Sequence, residues 1–421
     1  MASSPYRRNT AVSDWPLVAV AVLLSALGVA LVYSAGVTDV LTPATGLWRQ
    51  QLAWLSIGVC AAYVVSRGSS RLIDVATTPA YLLTLVLLAA LFVIGSGGGT
   101  AASTKSWLTL GGMRIGQPSE LAKIAVVLML AKVLASKRIA AQSLFDLWRP
   151  ALIVAIPWAM ILLAKDLGTS MVLIGIFFAM LYWSGVSWSL LFFVASPGVS
   201  LILAFSTGIW GAWFLLVLAM IWAVRSKPIE GVLLALANVA TGVVAPMLWN
   251  QLAEYQQKRL LVFLDPQSDP RASGYHLLQS QVAIGSGGWI GKGFTEGSQK
   301  RLAFLPAQHT DFIFSVLAEE LGFIGVSVAL ILLCVLLLRV VRVATRAESP
   351  FMGLVAFGLA AGWLVHILVN IGMTVGLMPI TGIPLPFFSY GGSFMLSCWI
   401  AIGILVRISA DGRGRADWFV L

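Results

Sequence analysis

Long apolar runs broken by short polar punctuation make up most of the chain. Runs of spanning length begin near Pro16, Leu47, Tyr81, Ser119, Ala151 and Leu167. Others cover about 189–206, 208–224 and 230–249, and then 312–338, 351–376 and 388–408. About twenty such residues cross the hydrocarbon of a bilayer as a helix. The runs are continuous rather than alternating, which excludes a transmembrane barrel. The pattern therefore predicts about twelve helices, with no soluble domain and no periodic repeat.

The charges between the runs give the sidedness. Lys and Arg gather at Arg67–Arg71, Lys137–Arg149, Arg225 and Lys227, Arg339 to Arg346, and Arg407 to Arg415. The positive-inside rule puts these turns in the cytoplasm, with both termini beside them. Arg7 and Arg8 precede a long first run that lacks a small-residue cleavage site, so it reads as a retained span. Parity then places a long polar stretch outside, between about 250 and 310.

Composition agrees with this picture. The chain is 59% hydrophobic and only 10% charged, and its mean hydropathy is +0.92. A soluble domain of this composition would have no polar surface left for water. The net charge of +10 needs no nucleic acid, because positive cytoplasmic loops account for it. Cys60, Cys334 and Cys398 all fall inside apolar runs, where small core residues are expected and no disulfide framework is implied.

The candidate chemistry lies where charge interrupts this pattern. Glu120 and Lys123 sit three apart at the start of one span and share a helical face. They read either as a structural ion pair or as a pair that positions an outer site. Ser119 or the turn before it is placed to cap that helix. Lys165 and Asp166 break another run, where Asp166 serves either as a helix cap or in catalysis. Outside, Lys105, Arg114, Lys258, Arg259, Arg271, Lys292, Lys300 and Arg301 accompany a glycine-rich stretch at Gly285–Gly293. Cations beside exposed backbone amides suit an anion such as a pyrophosphate. Asp265 and Asp269 each precede a proline, which holds the carboxylate in turn geometry where it can accept a proton. His276 and His309 have no ligand-spaced neighbour for zinc. His309-Thr310-Asp311 is placed to cap the helix that follows, and His366 to bond between helices. The stretch MPITGIPLPFFSYGGS, between the last two runs, is irregular backbone of a kind tolerated at membrane depth only inside protein or a water cavity.

Three stretches carry a resemblance: DPQSDPRASGYHLLQSQVAIGSGGWIGKG, LPAQHTDFIFSVLAEELGFIG and NIGMTVGLMPITGIPLPFFSYGGSF. With QPSELAK and KDLGTS they resemble the SEDS family, in its RodA-like rather than its FtsW-like branch, over nearly the whole chain. The resemblance implies an all-α polytopic membrane protein of about ten helices, so a hairpin at 188–224 is surplus. It also implies a peptidoglycan glycosyltransferase of the bacterial inner membrane, which polymerises lipid II at the outer face during cell elongation. The transfer would be inverting and would release undecaprenyl pyrophosphate. The family's essential loop aspartate falls on Asp269. The substrate-binding set comprises Lys105, Glu120, Lys123, Asp166, Lys258, Arg259, His276, Lys292 and Ser393. A class B penicillin-binding protein and the elongation machinery are the implied partners. No resident cofactor is expected beyond a divalent cation, Mg or Mn. The pattern departs from the family where Lys105 precedes Ser106-Trp107 in place of the usual Arg, at Lys165 and at Ala307. The rival readings are a lipid II flippase or other transporter and a scaffold for a transpeptidase.

Overall fold

The computed structural model describes residues 14–40, 42–97, 106–110, 113–136, 140–225, 227–251, 257, 273–305 and 307–416. Each apolar stretch becomes a helix: α1 (Trp15–Ala35), α2 (Leu47–Arg67), α3 (Ser70–Ile94), α4 (Pro118–Ala135), α5 (Trp148–Leu163), α6 (Leu167–Trp183), α7 (Trp188–Leu203), α8 (Thr207–Val224) and α9 (Pro228–Gln251). The polar stretch contributes α10 (Ser273–Ser286) and the short α11 (Ser298–Arg301). The chain continues with α12 (Ile313–Thr345), α13 (Pro350–Val375) and α14 (Gly392–Ala416). By length and hydropathy, eight of the described helices can cross a membrane alone. Helices α6 and α7 are apolar but shorter, while polar side chains dilute α2 and α4. The protein is a multi-pass membrane protein.

Two expectations need correction, and one feature was not foreseen. Helix α3 starts at Ser70, well before Tyr81, because the Ser69 side chain caps it at Leu72 N. The first outer loop carries strands that the apolar pattern did not predict. Its Trp107–Leu110 and Met113–Gly116 segments pair with Gly95–Ser96 in a three-stranded antiparallel sheet (β1, β2, β3 in chain order). The alternation on either side of Gly111-Gly112 is a hairpin signal that the long apolar runs overshadowed. Finally, only Cys398 is buried; Cys60 and Cys334 are exposed, on the lipid-facing sides of their helices.

Helix α13 is the hub. It packs against α4, α6, α10 and α12. Lipid is as apolar as leucine, so close backbone approach has to replace the hydrophobic effect between helices. Small residues permit it: Gly353, Ala356, Gly358, Ala360, Ala361 and Gly362 are all buried. Helix α14 lies along α2. To one side α7, α8 and α9 pack on one another. There Asn238 joins α9 to α7 by accepting from Ser200 Oγ (2.7 Å) and donating to Ser196 Oγ (2.9 Å). Val217 is the buried residue of α8, and Trp213, Met220 and Ile221 pack beside it against α7 and α9.

Ion pairs mark the two ends of the bundle. At one end Arg339 meets Asp14 and Lys132 meets Asp74 (3.1 Å), while Asp411 holds both Ser70 and Arg407. At the other, Arg301 meets Asp39 (3.0 Å). The irregular stretch between α13 and α14 runs through protein, as its composition predicts. Phe387 and Phe388 are buried, and their main chain lies against Gly28 midway along α1. Asn370 Nδ2 donates to Ile383 O (2.7 Å), and Gln51 Nε2 to Ser389 O (3.1 Å).

Candidate functional site

Two polar clusters occupy the end of the bundle that carries the polar stretch. The first grows from the start of α4. Glu120 and Lys123 are both buried, with Lys123 Nζ 2.9 Å from Glu120 Oε2. On its other side Nζ lies 2.7 Å from His366 Nε2. His366 Nδ1 is 2.9 Å from Pro384 O, which can only accept, so Nδ1 carries the proton and Nε2 accepts from the ammonium. His366 thus bonds between helices as expected, and it also ties the ion pair to the irregular stretch. Phe394 stacks on the imidazole (4.8 Å) and lies 5.2 Å from the ammonium. A narrow cavity of about 40 Å³ opens beside the group, lined also by Trp363 and Ser397.

Gln117 gathers the other sequence landmarks. Its backbone N–H donates to Ser393 Oγ (3.0 Å), and its Nε2 donates to Asp166 Oδ2 (3.2 Å). Asp166 caps α6, accepting from Thr169 N (3.0 Å) and Thr169 Oγ1 (2.9 Å). Ser119 does not cap α4; Gln117 takes the cap position with no side-chain bond. Gln117 was missed because nothing local says that an amide will bridge two helix starts 49 residues apart.

The second cluster clasps the glycine-rich segment. Lys300 and Glu320 are wholly buried with Nζ 2.6 Å from Oε1, and Ser34 of α1 completes the group through its carbonyl oxygen (2.7 Å) and hydroxyl (2.5 Å). Lys292 meets Glu319 at 2.7 Å, and Glu319 also accepts from Ser298 Oγ and Gln299 N. Arg301 pairs with Asp39 and Glu296. Burial pushes the Lys300 amine below its ordinary pKa, and the hydrogen bond and charge of Glu320 pull it back. The cations Lys292, Lys300 and Arg301 therefore each face a carboxylate of the chain rather than standing open to an anion. Sequence position located these charges but not their partners, some more than 250 residues away.

His309, Thr310 and Asp311 do not cap α12: Phe312 holds the cap position without a side-chain bond. Instead His309 O accepts from Tyr390 N (2.8 Å), and Thr310 O accepts from Ser389 Oγ (2.7 Å). Burial pushes the His309 imidazole below its ordinary pKa. His276 is half-buried near Phe312 (6.3 Å) and Tyr275 (6.3 Å). The structure therefore brings Glu120, Lys123, Asp166 and Ser393 into one cluster, and it puts Lys292 in the clasp. Lys105, Lys258, Arg259 and Asp269 lie outside the described residues.

These features define a polytopic helical membrane protein with buried ion pairs and a polar segment clasped to one end. The chain belongs to the FtsW, RodA and SpoVE cell-cycle protein family, whose model matches residues 14–210 and 205–414. It is 33% identical to the peptidoglycan glycosyltransferase MrdB of Escherichia coli K12 over 90% of this chain and 88% of that one. Its fold matches a chain of a solved peptidoglycan synthase complex, described for the structural coordination of polymerization and crosslinking. That match has a TM-score of 0.71 at 30% identity and covers 94% of this chain and 98% of the other. The rod shape determining protein RodA of Thermus thermophilus matches with a TM-score of 0.61 at 27% identity, covering 94% and 97%.

Proposed function

We infer that the chain is a peptidoglycan glycosyltransferase that polymerises lipid II at the outer face of the bacterial inner membrane, serving cell elongation and rod shape. The observation that carries this reading is the 33% identity, over 90% of the chain, to a relative of that activity. The site chemistry supports it. Asp269 takes the proton from the acceptor 4-hydroxyl as that oxygen attacks the donor's anomeric carbon. The bond from that carbon to the pyrophosphate oxygen breaks, the configuration inverts, and undecaprenyl pyrophosphate leaves. A positioned base contributes about a hundred- to ten-thousandfold. Lys105, Lys258 and Arg259 receive the charge that develops on the diphosphate. The Glu120–Lys123–His366 group and the Gln117 bridge hold the starts of α4, α6 and α14 in one geometry, and they orient the substrate rather than react with it.

Both termini face the cytoplasm, as the placement of Lys and Arg in the short loops supports. A class B penicillin-binding protein is the crosslinking partner, in keeping with the synthase complex whose chain this one resembles. Among the described residues no three potential metal ligands converge.

The test uses proteoliposomes that hold the purified chain and its partner, supplied with labelled lipid II. Glycan polymer in the products supports the reading. Translocation of label with no polymer would favour a flippase instead.

A further inference from the structure

Helix α12 is broken at Gly322, whose φ of 62° and ψ of −165° leave the helical region. The break frees backbone groups that would be costly in lipid. The turn after α10 satisfies them. Gly288 O accepts from Phe323 N (2.9 Å), and Trp289 O accepts from Ile324 N (3.1 Å). In return, Lys292 N donates to Glu319 O and Gly293 N to Glu320 O, each at 3.0 Å. The fit leaves no room for side chains: a Cβ on Gly291 would lie 2.0 Å from Glu320 O, and one on Gly322 would lie 2.2 Å from Gly291 N.

Pinned in this way, the turn directs its two largest apolar side chains outward. Trp289 is 72% exposed and Ile290 is 79% exposed. Trp289 sits edge-on to Phe323 (5.2 Å). Phe323 and Ile324 are themselves exposed and continue into the exposed Val328 and Ile331 along α12. The turn therefore extends a surface that elsewhere faces acyl chains. Its depth follows from helix geometry. Between Phe323 and Arg342, α12 rises about 28 Å at 1.5 Å per residue, close to the roughly 30 Å thickness of the hydrocarbon. With Arg342 at one boundary, Phe323 and the turn docked on it lie at the other. Tryptophan favours that level. Tyr33, Trp48 and Phe294 form a second aromatic group beside the same segment, with ring separations of 5.8 and 6.4 Å.

We propose that the Gly287–Lys292 turn is a monotopic membrane contact that seats Trp289 and Ile290 at the hydrocarbon–headgroup boundary of the outer leaflet. The contact itself does not depend on the reaction proposed above. Its consequence does: a turn anchored there holds the adjoining Lys292–Glu319 and Lys300–Glu320 pairs near the headgroup layer, where the diphosphate of a lipid-linked substrate lies.

The test places a nitroxide at Ile290→Cys, and separately at Trp289→Cys, in a chain whose Cys60, Cys334 and Cys398 are replaced by alanine. Collision with oxygen and with a water-soluble nickel chelate is read by power saturation in lipid nanodiscs. The proposal predicts that oxygen relaxes both labels more than nickel does, with or without the partner protein. Greater relaxation by nickel would put the turn in water and overturn the proposal. Exclusion of both reagents from the chain alone would mean that its own protein covers the turn. Loss of oxygen access only on adding the partner would make the face a protein-docking surface. Either result overturns the proposal. A glycan polymerisation assay on the same labelled chains separates this question from the enzymatic one.

Discussion

Lys300→Met is the sharpest test of the clasp. The substitution keeps most of the side-chain volume and removes an ammonium that contacts Glu320 Oε1, Ser34 O and Ser34 Oγ within 2.7 Å. Glu320, itself 0% exposed, then keeps, among the described residues, the Ser34 hydroxyl at 2.6 and 2.7 Å. Stranding a buried charge by removing its partner costs about 3–5 kcal/mol. Replacing both partners with apolar residues of similar size is often neutral. Lys300→Met with Glu320→Leu should therefore recover to within about 1 kcal/mol of the parent; because Glu320→Leu alone strands the buried Lys300 at a similar cost, the cycle should give a coupling energy of at least about 5 kcal/mol. Reversible unfolding in mixed detergent micelles measures all four corners of the cycle. Additive losses, with the double variant worse than either single one, would refute a buried pair whose members compensate each other.

Other expectations follow from the same geometry. Lys123→Met strands the buried Glu120 carboxylate and frees His366, and polymerisation should fall by about tenfold or more, equivalent to 1.4 kcal/mol of transition-state stabilisation; a labelled lipid II assay checks this. Gly291→Ala adds a methyl at a φ of +78° and 2.0 Å from Glu320 O; strain and overpacking together should cost about 2–4 kcal/mol, read as a lower melting temperature. His309 has a folded pKa below its unfolded value because it is buried. The unfolded chain therefore binds the proton first, and stability present above about pH 6.5 is lost as pH falls toward the lower folded value. His309→Gln should flatten that acid-side decline in melting temperature between about pH 7.5 and 5.5.

The helices were legible because lipid imposes one pattern on every span, and each apolar run from Pro16 to the final 388–408 stretch became a helix, eight of them among the described residues long and apolar enough to cross alone. The irregular stretch before α14 was legible for the same reason, since bilayer rules leave such backbone nowhere to go but into protein. The partners of the charges were not legible. Lys292 and Lys300 looked like open cations because the carboxylates that neutralise them, Glu319 and Glu320, read locally as a polar patch on a long helix. The antiparallel sheet at 95–116 was hidden by its shortness. The Glu120–Lys123 pair was visible at its helical spacing, but its third member, His366, comes from a helix 243 residues later, and only the folded chain joins them.

The most direct test of the central claim is a polymerisation gel with labelled lipid II, the purified chain and its crosslinking partner, run beside Asp269→Ala protein of equal melting temperature. The parent should yield long glycan, and the variant should yield at least about a hundredfold less. Undiminished polymer from the variant would take the reaction away from that carboxylate, and none from the parent would contradict the glycosyltransferase reading itself.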